Sequence, residues 1–323
     1  YLVSELLKNN KEIPDISLEG HPNNTTEEHL EVMYRLGARR VSFGIQDFDP
    51  RVQELIHRIQ PFDKVKEVTE TARRIGYTSV NYDLIYGLPA QTLQTVTDTL
   101  DKTLSLKPDR IAFYSYAHVP WMKPAQKSFE AHLPNGEEKR TLYEWGKQHF
   151  MDAGYKEIGM DHFALPTDSL YLAHESGGLH RNFMGYTTQT TRYMIGLGAS
   201  SISDLWTAFA QNEKSVEAYM ARVNAGEFPI EKGHLLSSDD LMVRAHILDL
   251  MCRFRTDFTY NPALLADLKD RLVEMENDGL VEWRANTLAV LPKGEPFIRN
   301  VCMSLDLRLL SSRPSTQLFS QTV

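Results

Sequence analysis

Ser79-Val80-Asn81-Tyr82-Asp83-Leu84-Ile85-Tyr86-Gly87-Leu88-Pro89 is the stretch that decides the fold. Its valine, tyrosines, leucine and isoleucine favour a strand, and Gly87 and Pro89 end it. Leu93, Val96, Leu100 and Leu104 then recur at helical spacing. The strand is therefore followed by an amphipathic helix and not by a hairpin partner.

The same unit repeats on either side. Residues 16–19 read as a strand ending at Gly20-His21-Pro22. Thr25 with Glu28 reads as a capping box for a helix bearing Leu30, Met33 and Leu36 and stopped by Gly37. Residues 40–44 read as the next strand, followed by Gln46-Asp47-Phe48. Asp49-Pro50 is an N-cap and N1 pair for a short helix, and a longer helix from Asp63 closes at Gly76. Downstream, residues 111–116 form a strand ending at Ala117-His118-Val119-Pro120, and a helix follows near 137–152. Residues 155–160 read as a further strand before the loop Asp161-His162-Phe163, and 194–203 as a glycine-rich strand and turn. Strands alternating with helices imply a parallel sheet covered by helices, either doubly wound or closed as a barrel.

The pattern changes past residue 235. Ser237-Ser238-Asp239-Asp240 starts one helix and Asn261-Pro262 a second. Two short strands, 280–283 and 288–291, and a last helix over 296–310 follow. Helix, helix, hairpin, helix is a winged-helix-like module. Its second helix carries Asp267, Asp270, Glu274 and Glu276 beside only Lys269 and Arg271, so packing or a lid fits it better than DNA. The expected division is a barrel over 1–205, a connecting segment over 206–235 and this module over 236–323.

The chain has 323 residues, 42% hydrophobic and 24% charged, the mix of a soluble globular protein. A net charge of −8 argues against nucleic acid as a partner. No apolar run approaches the roughly 20 residues of a membrane span. The two cysteines, Cys252 and Cys302, stand far apart, each on a predicted apolar helix face. They form no CxxC or CxxxCxxC spacing, so no metal ligands are expected, and a reducing compartment, the cytoplasm, fits best.

In parallel α/β folds chemistry gathers at the carboxyl ends of the strands. Those ends carry Glu19, Gln46, Asp83, His118 and Asp161-His162, with Arg58 shortly after the second strand. Each also has a plainer role: Glu19 as a helix cap, Asp83 bonding its own turn, Arg58 in a surface ion pair. As a set they suit a nucleoside joined to an amino acid. Glu19 could take ribose hydroxyls, and Gln46, Arg58 and Asp83 an ammonium and a carboxylate. His162 and His180 lack metal-binding spacing. Gly196-Leu197-Gly198 is not a dinucleotide fingerprint, since Ser201 holds the third position.

Five segments carry a resemblance. Ser42-Phe43-Gly44-Ile45-Gln46-Asp47-Phe48 and Asn81-Tyr82-Asp83-Leu84-Ile85-Tyr86-Gly87-Leu88-Pro89 resemble the radical S-adenosylmethionine (SAM) enzymes around coproporphyrinogen dehydrogenase. Tyr116-Ala117-His118-Val119-Pro120, Gly159-Met160-Asp161-His162-Phe163-Ala164 and His180-Arg181-Asn182-Phe183-Met184-Gly185-Tyr186-Thr187-Thr188-Gln189 narrow this to the oxygen-independent coproporphyrinogen III oxidases. The related heme chaperones usually read Gln-Ser-Phe where this chain has Gln46-Asp47-Phe48.

The resemblance runs from end to end. It implies an incomplete parallel (β/α) TIM-like barrel with a small C-terminal winged-helix-like domain. It also implies an oxidoreductase that decarboxylates two propionates of coproporphyrinogen III to vinyl groups, giving protoporphyrinogen IX in heme biosynthesis. The cofactors it implies are a 4Fe–4S cluster and two SAM molecules, with electrons from an unidentified donor. By motif position, Glu19, Ala117 and Ile202 look like contacts of one SAM molecule, and Gln46, Arg58 and Asp83 of the second. Arg181, Asn182, Gln189 and Arg192 are candidate contacts for the substrate's propionates. No catalytic residue is assigned.

The chain departs from the family in one respect: it contains no CxxxCxxC cluster loop. Tyr1-Leu2-Val3-Ser4-Glu5-Leu6-Leu7 reads as the end of a helix, so a segment upstream is expected to be missing and the chain alone inactive. The alternative function is a heme-binding or heme-delivery protein on the same scaffold.

Overall fold

The structure, a computed structural model, describes residues 15–312 together with Ser4, Glu5 and Lys8. The helix end expected over 1–7 lies mostly outside the described residues; Ser4 and Glu5 are helical. The chain forms two compact units, one running to Leu172 and the other starting at Ala173.

In the first unit β1 (Ile16–Gly20), β2 (Ala38–Gln46), β3 (Ser79–Tyr86) and β4 (Arg110–Ser115) lie side by side, all parallel. They alternate with α1 (Glu27–Arg35), α2 (Pro50–Leu55), α3 (Phe62–Ile75), α4 (Leu93–Ser105) and α5 (Gly136–Asp152). Val41, Phe43 and Ile45 of β2, Val80, Tyr82 and Leu84 of β3, and Ile111 and Phe113 of β4 share one buried core. Leu30, Val65, Val68, Ala72, Val96, Leu100 and Phe150 of the helices complete it. Each buried Val, Leu, Ile or Phe side chain contributes roughly 1.5–3 kcal/mol. Gly146 lets α5 approach closely, since a Cβ there would stand 2.4 Å from the Phe113 ring.

Asp49 caps α2 through the amides of Arg51 and Val52, with Pro50 next to it, as expected. The cap of α1 is Thr26 and not Thr25: Thr26 pairs reciprocally with His29, while the Thr25 hydroxyl donates to His21 O.

The expected strand over 155–160 is instead the first arm of a hairpin, β5 (Lys156–Gly159) and β6 (His162–Ala164). Only Met160 and Asp161 separate the arms, and a connection that short permits antiparallel pairing alone. Since β6 also runs antiparallel to β4, the sheet order is β1-β2-β3-β4-β6-β5. The unit is a mostly parallel sheet of the partial TIM-like barrel type. The helix α6 (Ser169–Glu175) spans the division between the units.

Residues 173–205, grouped above with the barrel, belong by their contacts to the second unit. There β7 (His180–Asn182) and β8 (Gly185–Thr187) form a hairpin. β9 (Ile202–Asp204), β10 (Ala208–Asn212) and β11 (Ile230–Leu235) form an antiparallel sheet, with α7 (Val216–Asn224) between the last two strands. Residues 206–235 are therefore structured elements and not a connector. Residues 194–203 do not supply a further parallel strand, because Leu205-Trp206-Thr207 turns the chain straight back from β9 into β10.

The C-terminal part follows the winged-helix-like order: α8 (Ser238–Arg253), β12 (Arg255–Asp257), α9 (Pro262–Asn277), β13 (Val281–Arg284) and β14 (Thr287–Val290). The expected last helix is broken into a 3-10 turn (Pro292–Phe297), α10 (Ile298–Met303) and α11 (Leu307–Ser312). Pro296 interrupts the start, and Asp306 accepts from Leu309 N to begin α11 anew. Cys252 and Cys302 are buried core residues. Among the described residues no helix is long and apolar enough to cross a membrane.

Candidate active site

The strand positions that alternate with the core form a polar face on the side of the sheet away from the helices. Glu19 pairs with Ser42, and Ser42 with Asn81. One row nearer the carboxyl ends run Gly44, Asp83, Ala112 and His162, each opposite the next. The reversal of β6 is what brings His162 into this row.

Asp83 is half-buried. Its Oδ1 accepts from Asn81 Nδ2 at 2.8 Å and its Oδ2 from Ser42 Oγ at 3.1 Å. Burial pushes its carboxyl above the usual range. Hydrogen bonds from Asn81 and Ser42 oppose the shift, Glu19's charge adds to it, and His162 offsets it. His162 Nδ1 lies 2.9 Å from Asp161 Oδ1 and its ring stands edge-on to Tyr114. An ionised Asp83 here favours a cationic group on the ligand.

Gln46 and Arg58 meet over Gly44. A Cβ on Gly44 would lie 2.7 Å from Gln46 Nε2 and 2.9 Å from Arg58 Nη2, so only glycine leaves room for both. Arg58 Nη2 donates to Gly44 O at 2.9 Å, but its Nε is buried without a hydrogen-bond partner. Burial lowers the guanidinium's pKa and Asp83 raises it. An orphaned guanidinium donor beside a carboxylate fits an amino-acid ligand, whose carboxylate would meet Arg58 and whose ammonium would meet Asp83.

Gln46 itself has φ 69°, and Asp47 N donates to Ile45 O at 2.9 Å across it. This is a γ-turn with a left-handed central residue, a strained arrangement for a residue other than glycine.

The structure thus brings Glu19, Gln46, Arg58 and Asp83 to one face of the first unit. Ala117 is exposed just beyond β4, its carbonyl accepting from Gln126 Nε2 at 3.1 Å. Ile202 opens β9 in the second unit, where the four substrate candidates also lie. Arg181 stacks over the Tyr186 ring at 4.6 Å with its Nη1 buried and unbonded. Asn182 accepts from Met184 N at 2.8 Å, Gln189 N donates to Thr187 Oγ1 at 3.4 Å, and Arg192 stands 6.0 Å over Trp206.

Sequence reasoning missed two groups. Lys139 of α5 donates to Tyr116 O at 2.9 Å, next to Ala117, and burial pulls its pKa down to about 8. Asp47 is fully buried, held by Gln91 and Thr99. A signal for Asp47 was present: Val41, Phe43, Ile45 and Asp47 share one alternation phase, so a carboxylate falls where the core phase continues.

The fit to an iron–sulfur cluster is different. Among the described residues no group of three or more His, Cys, Asp or Glu could hold a metal ion. The two cysteines are buried in the second unit, so the described residues supply no thiolate set for a 4Fe–4S cluster.

Comparison with known proteins places these features in context. The Radical SAM superfamily profile matches residues 1–103. The oxygen-independent coproporphyrinogen III oxidase of Synechocystis sp. is 40% identical over 322 residues, which cover 96% of this chain and 69% of that protein. Its namesake from Helicobacter pylori is 36% identical over 330 residues, covering 99% of this chain and 72% of that protein. The solved coproporphyrinogen III oxidase of Escherichia coli, described as a radical SAM enzyme, superposes with a TM-score of 0.90 at 36% identity. That match covers 95% of this chain and 74% of the solved one.

Proposed function

The chain belongs to the oxygen-independent coproporphyrinogen III oxidases, a family of radical SAM enzymes, and from that premise we propose how its residues serve the reaction. The substrate is coproporphyrinogen III, two of whose propionates are oxidatively decarboxylated to vinyl groups to give protoporphyrinogen IX, in the cytoplasm and with an external electron donor. When bound and reduced by one electron from a 4Fe–4S cluster, whose ligands the described residues do not supply, SAM would furnish the carbon radical that removes a propionate hydrogen.

This chain's own residues bind and orient. Gln46, Arg58 and Asp83 hold the amino-acid portion of one SAM molecule: Arg58 takes the carboxylate, Asp83 the ammonium, and Gln46 closes the site over Gly44. Glu19 and Ala117 serve the other SAM molecule, Glu19 through ribose hydroxyls and Ala117 through its small side chain. Ile202 is assigned to the same molecule as Glu19 by resemblance alone. Arg181, Asn182, Gln189 and Arg192 are the proposed propionate contacts.

The observation that carries the SAM assignment is the buried, unbonded Arg58 Nε within electrostatic reach of the Asp83 carboxylate. The test is calorimetric titration of SAM into this chain. Asp83→Asn and Gln46→Ala should each weaken binding at least tenfold, since removing a partner of a buried charged group costs roughly 2–5 kcal/mol. Unchanged affinity in both folded variants would take these strand ends out of the ligand site.

A further inference from the structure

Asp47 has no part in the assignments above, yet it is fully buried and no cation bonds it. Its carboxylate accepts from Thr99 Oγ1 at 2.8 Å and Asp49 N at 2.6 Å on Oδ1, and from Gln91 Nε2 at 2.6 Å on Oδ2. Every one of these partners is neutral. A buried carboxylate without a counter-ion is costly to keep, so a placement this specific calls for a reason beyond packing.

The partners supply one. Gln91 also donates to Ile85 O at 2.8 Å and accepts from Leu88 N at 2.9 Å, so it grips the end of β3, the strand that carries Asp83. Thr99 belongs to α4 and accepts from Phe48 N at 3.1 Å. Asp47 O accepts from Gln53 Nε2 at 2.8 Å. Gln53 in turn holds Gln60, whose Nε2 donates to Gly44 O and Ile45 O, on the near side of the strained turn. Gln60, which clamps the near side of the γ-turn, is thus tied through Gln53 to the Asp47 backbone, and the Asp47 carboxylate ties the far side to Gln91 and Thr99; Arg58 adds its own bond to Gly44 O.

We infer that Asp47 is a positioning residue: its carboxylate locks the ends of β2 and β3 together, and so fixes Gln46 and Arg58 relative to Asp83. The inference rests on the proposed SAM-binding role of those three residues. Asp47 acts through them and does not itself touch the ligand. With an asparagine in its place, an amide donor would face the Gln91 donor. Gln91 cannot flip without losing its bonds to Ile85 and Leu88, so the lock opens and the γ-turn relaxes.

The experiment compares four forms of the chain: unmodified, Asp47→Asn, the double variant Asp47→Asn/Gln91→Glu, and Asp168→Asn. The double variant restores donor against acceptor between positions 47 and 91 at the same net charge and keeps an acceptor for Leu88 N, while giving up the bond to Ile85 O. Asp168 is the control. It is a buried carboxylate bonded to Ser79 and Arg110 at the amino ends of β3 and β4, the opposite end of the sheet from Gln46.

SAM titration should show a loss of roughly tenfold or more in Asp47→Asn, partial recovery in the double variant, and little change in Asp168→Asn. Amide hydrogen exchange over residues 44–49 should quicken in Asp47→Asn alone. Equal loss of affinity in Asp47→Asn and Asp168→Asn, no recovery in the double variant, or unchanged exchange over 44–49 would each overturn the inference. If the unmodified chain binds no SAM, the proposed ligand reading falls, and the exchange comparison still decides whether Asp47 holds the turn.

Discussion

Gly44→Ala is the sharpest perturbation the geometry offers, because it separates fold from site at a single methyl group. Gly44 does not adopt a left-handed conformation, so alanine is compatible with its backbone. The new Cβ would stand 2.7 Å from Gln46 Nε2 and 2.9 Å from Arg58 Nη2, both ends of flexible side chains. These ends move and the strand stays. The structural cost is the Arg58–Gly44 hydrogen bond, about 1.5–3 kcal/mol for a charged donor. Alanine's gain over glycine within a strand returns roughly 0.5–1 kcal/mol. The net loss of stability is therefore about 1–2 kcal/mol, small enough to leave the chain folded.

The functional cost is larger. Displacing Arg58 and Gln46 together should cost ligand binding roughly 2–5 kcal/mol, a factor of about 30 to several thousand. Urea unfolding measures the first quantity and SAM calorimetry the second. Gly146→Ala is the matched control: its Cβ meets Phe113 at 2.4 Å on the helix-covered side. It should lose about 1–3 kcal/mol of stability by overpacking and keep its SAM affinity. A folded Gly44→Ala chain binding SAM like the unmodified one would refute the reasoning, as would an equal loss of affinity in the control.

Three further outcomes follow from titratable groups. Burial raises the Asp83 pKa in the fold, so the folded state holds its proton more tightly than the unfolded chain. Its ionised form therefore costs stability as pH rises past the unfolded value of about 3.9, and Asp83→Asn should raise the urea midpoint at pH 7 by more than at pH 4; a pH-independent difference would contradict this. In the second unit His246 is buried, stacked on Phe258 at 4.2 Å, with Nδ1 2.8 Å from Thr256 Oγ1 and Nε2 3.1 Å from Asn261 Nδ2. Burial lowers its pKa, so its contribution is complete above the unfolded value of about 6.5 and lost as pH falls through the lower folded value; urea midpoints should drop on acidification, less steeply in His246→Asn. Burial also pushes the thiols of Cys252 and Cys302 up to about 11 and about 12, so a disulfide reagent at pH 8 should label neither in the native chain and both in urea. Rapid native labelling would show that these thiols are not buried.

How much of this was legible in the sequence depends on how local each signal is. The strands β2 and β3 and their helices were, since alternation and helical spacing are properties of a few consecutive residues. Asp49-Pro50, Ser237 and Asn261-Pro262 marked their helix starts for the same reason. The shift from Thr25 to Thr26 was not legible, because both threonines precede acidic residues and only the hydroxyl's bond to His21 O distinguishes them. The β5–β6 hairpin was hidden because Gly159-Met160-Asp161 lacks a familiar turn pair, and Met160 turns with φ 54°. The same hairpin carries His162 to the polar face.

For the candidate site, the rule that parallel strands direct their carboxyl ends to one rim was enough to group Glu19, Gln46 and Asp83, because it needs strand direction alone. It could not find what holds them there. Asp47 bonds to Gln91 and Thr99, 44 and 52 residues further along the chain, and no spacing rule links such positions. The trace that did exist is a conflict between levels: Asp47 continues the phase of Val41, Phe43 and Ile45, where burial without a counter-ion makes a carboxylate expensive. Such conflicts are expected at strained or functional positions, where the fold gives up local stability to hold a geometry. The left-handed Gln46 immediately before it is the same conflict expressed in the backbone. Two adjacent residues that each break a local rule, at the end of a strand whose other positions obey it, mark the candidate site more narrowly than the list of polar strand ends.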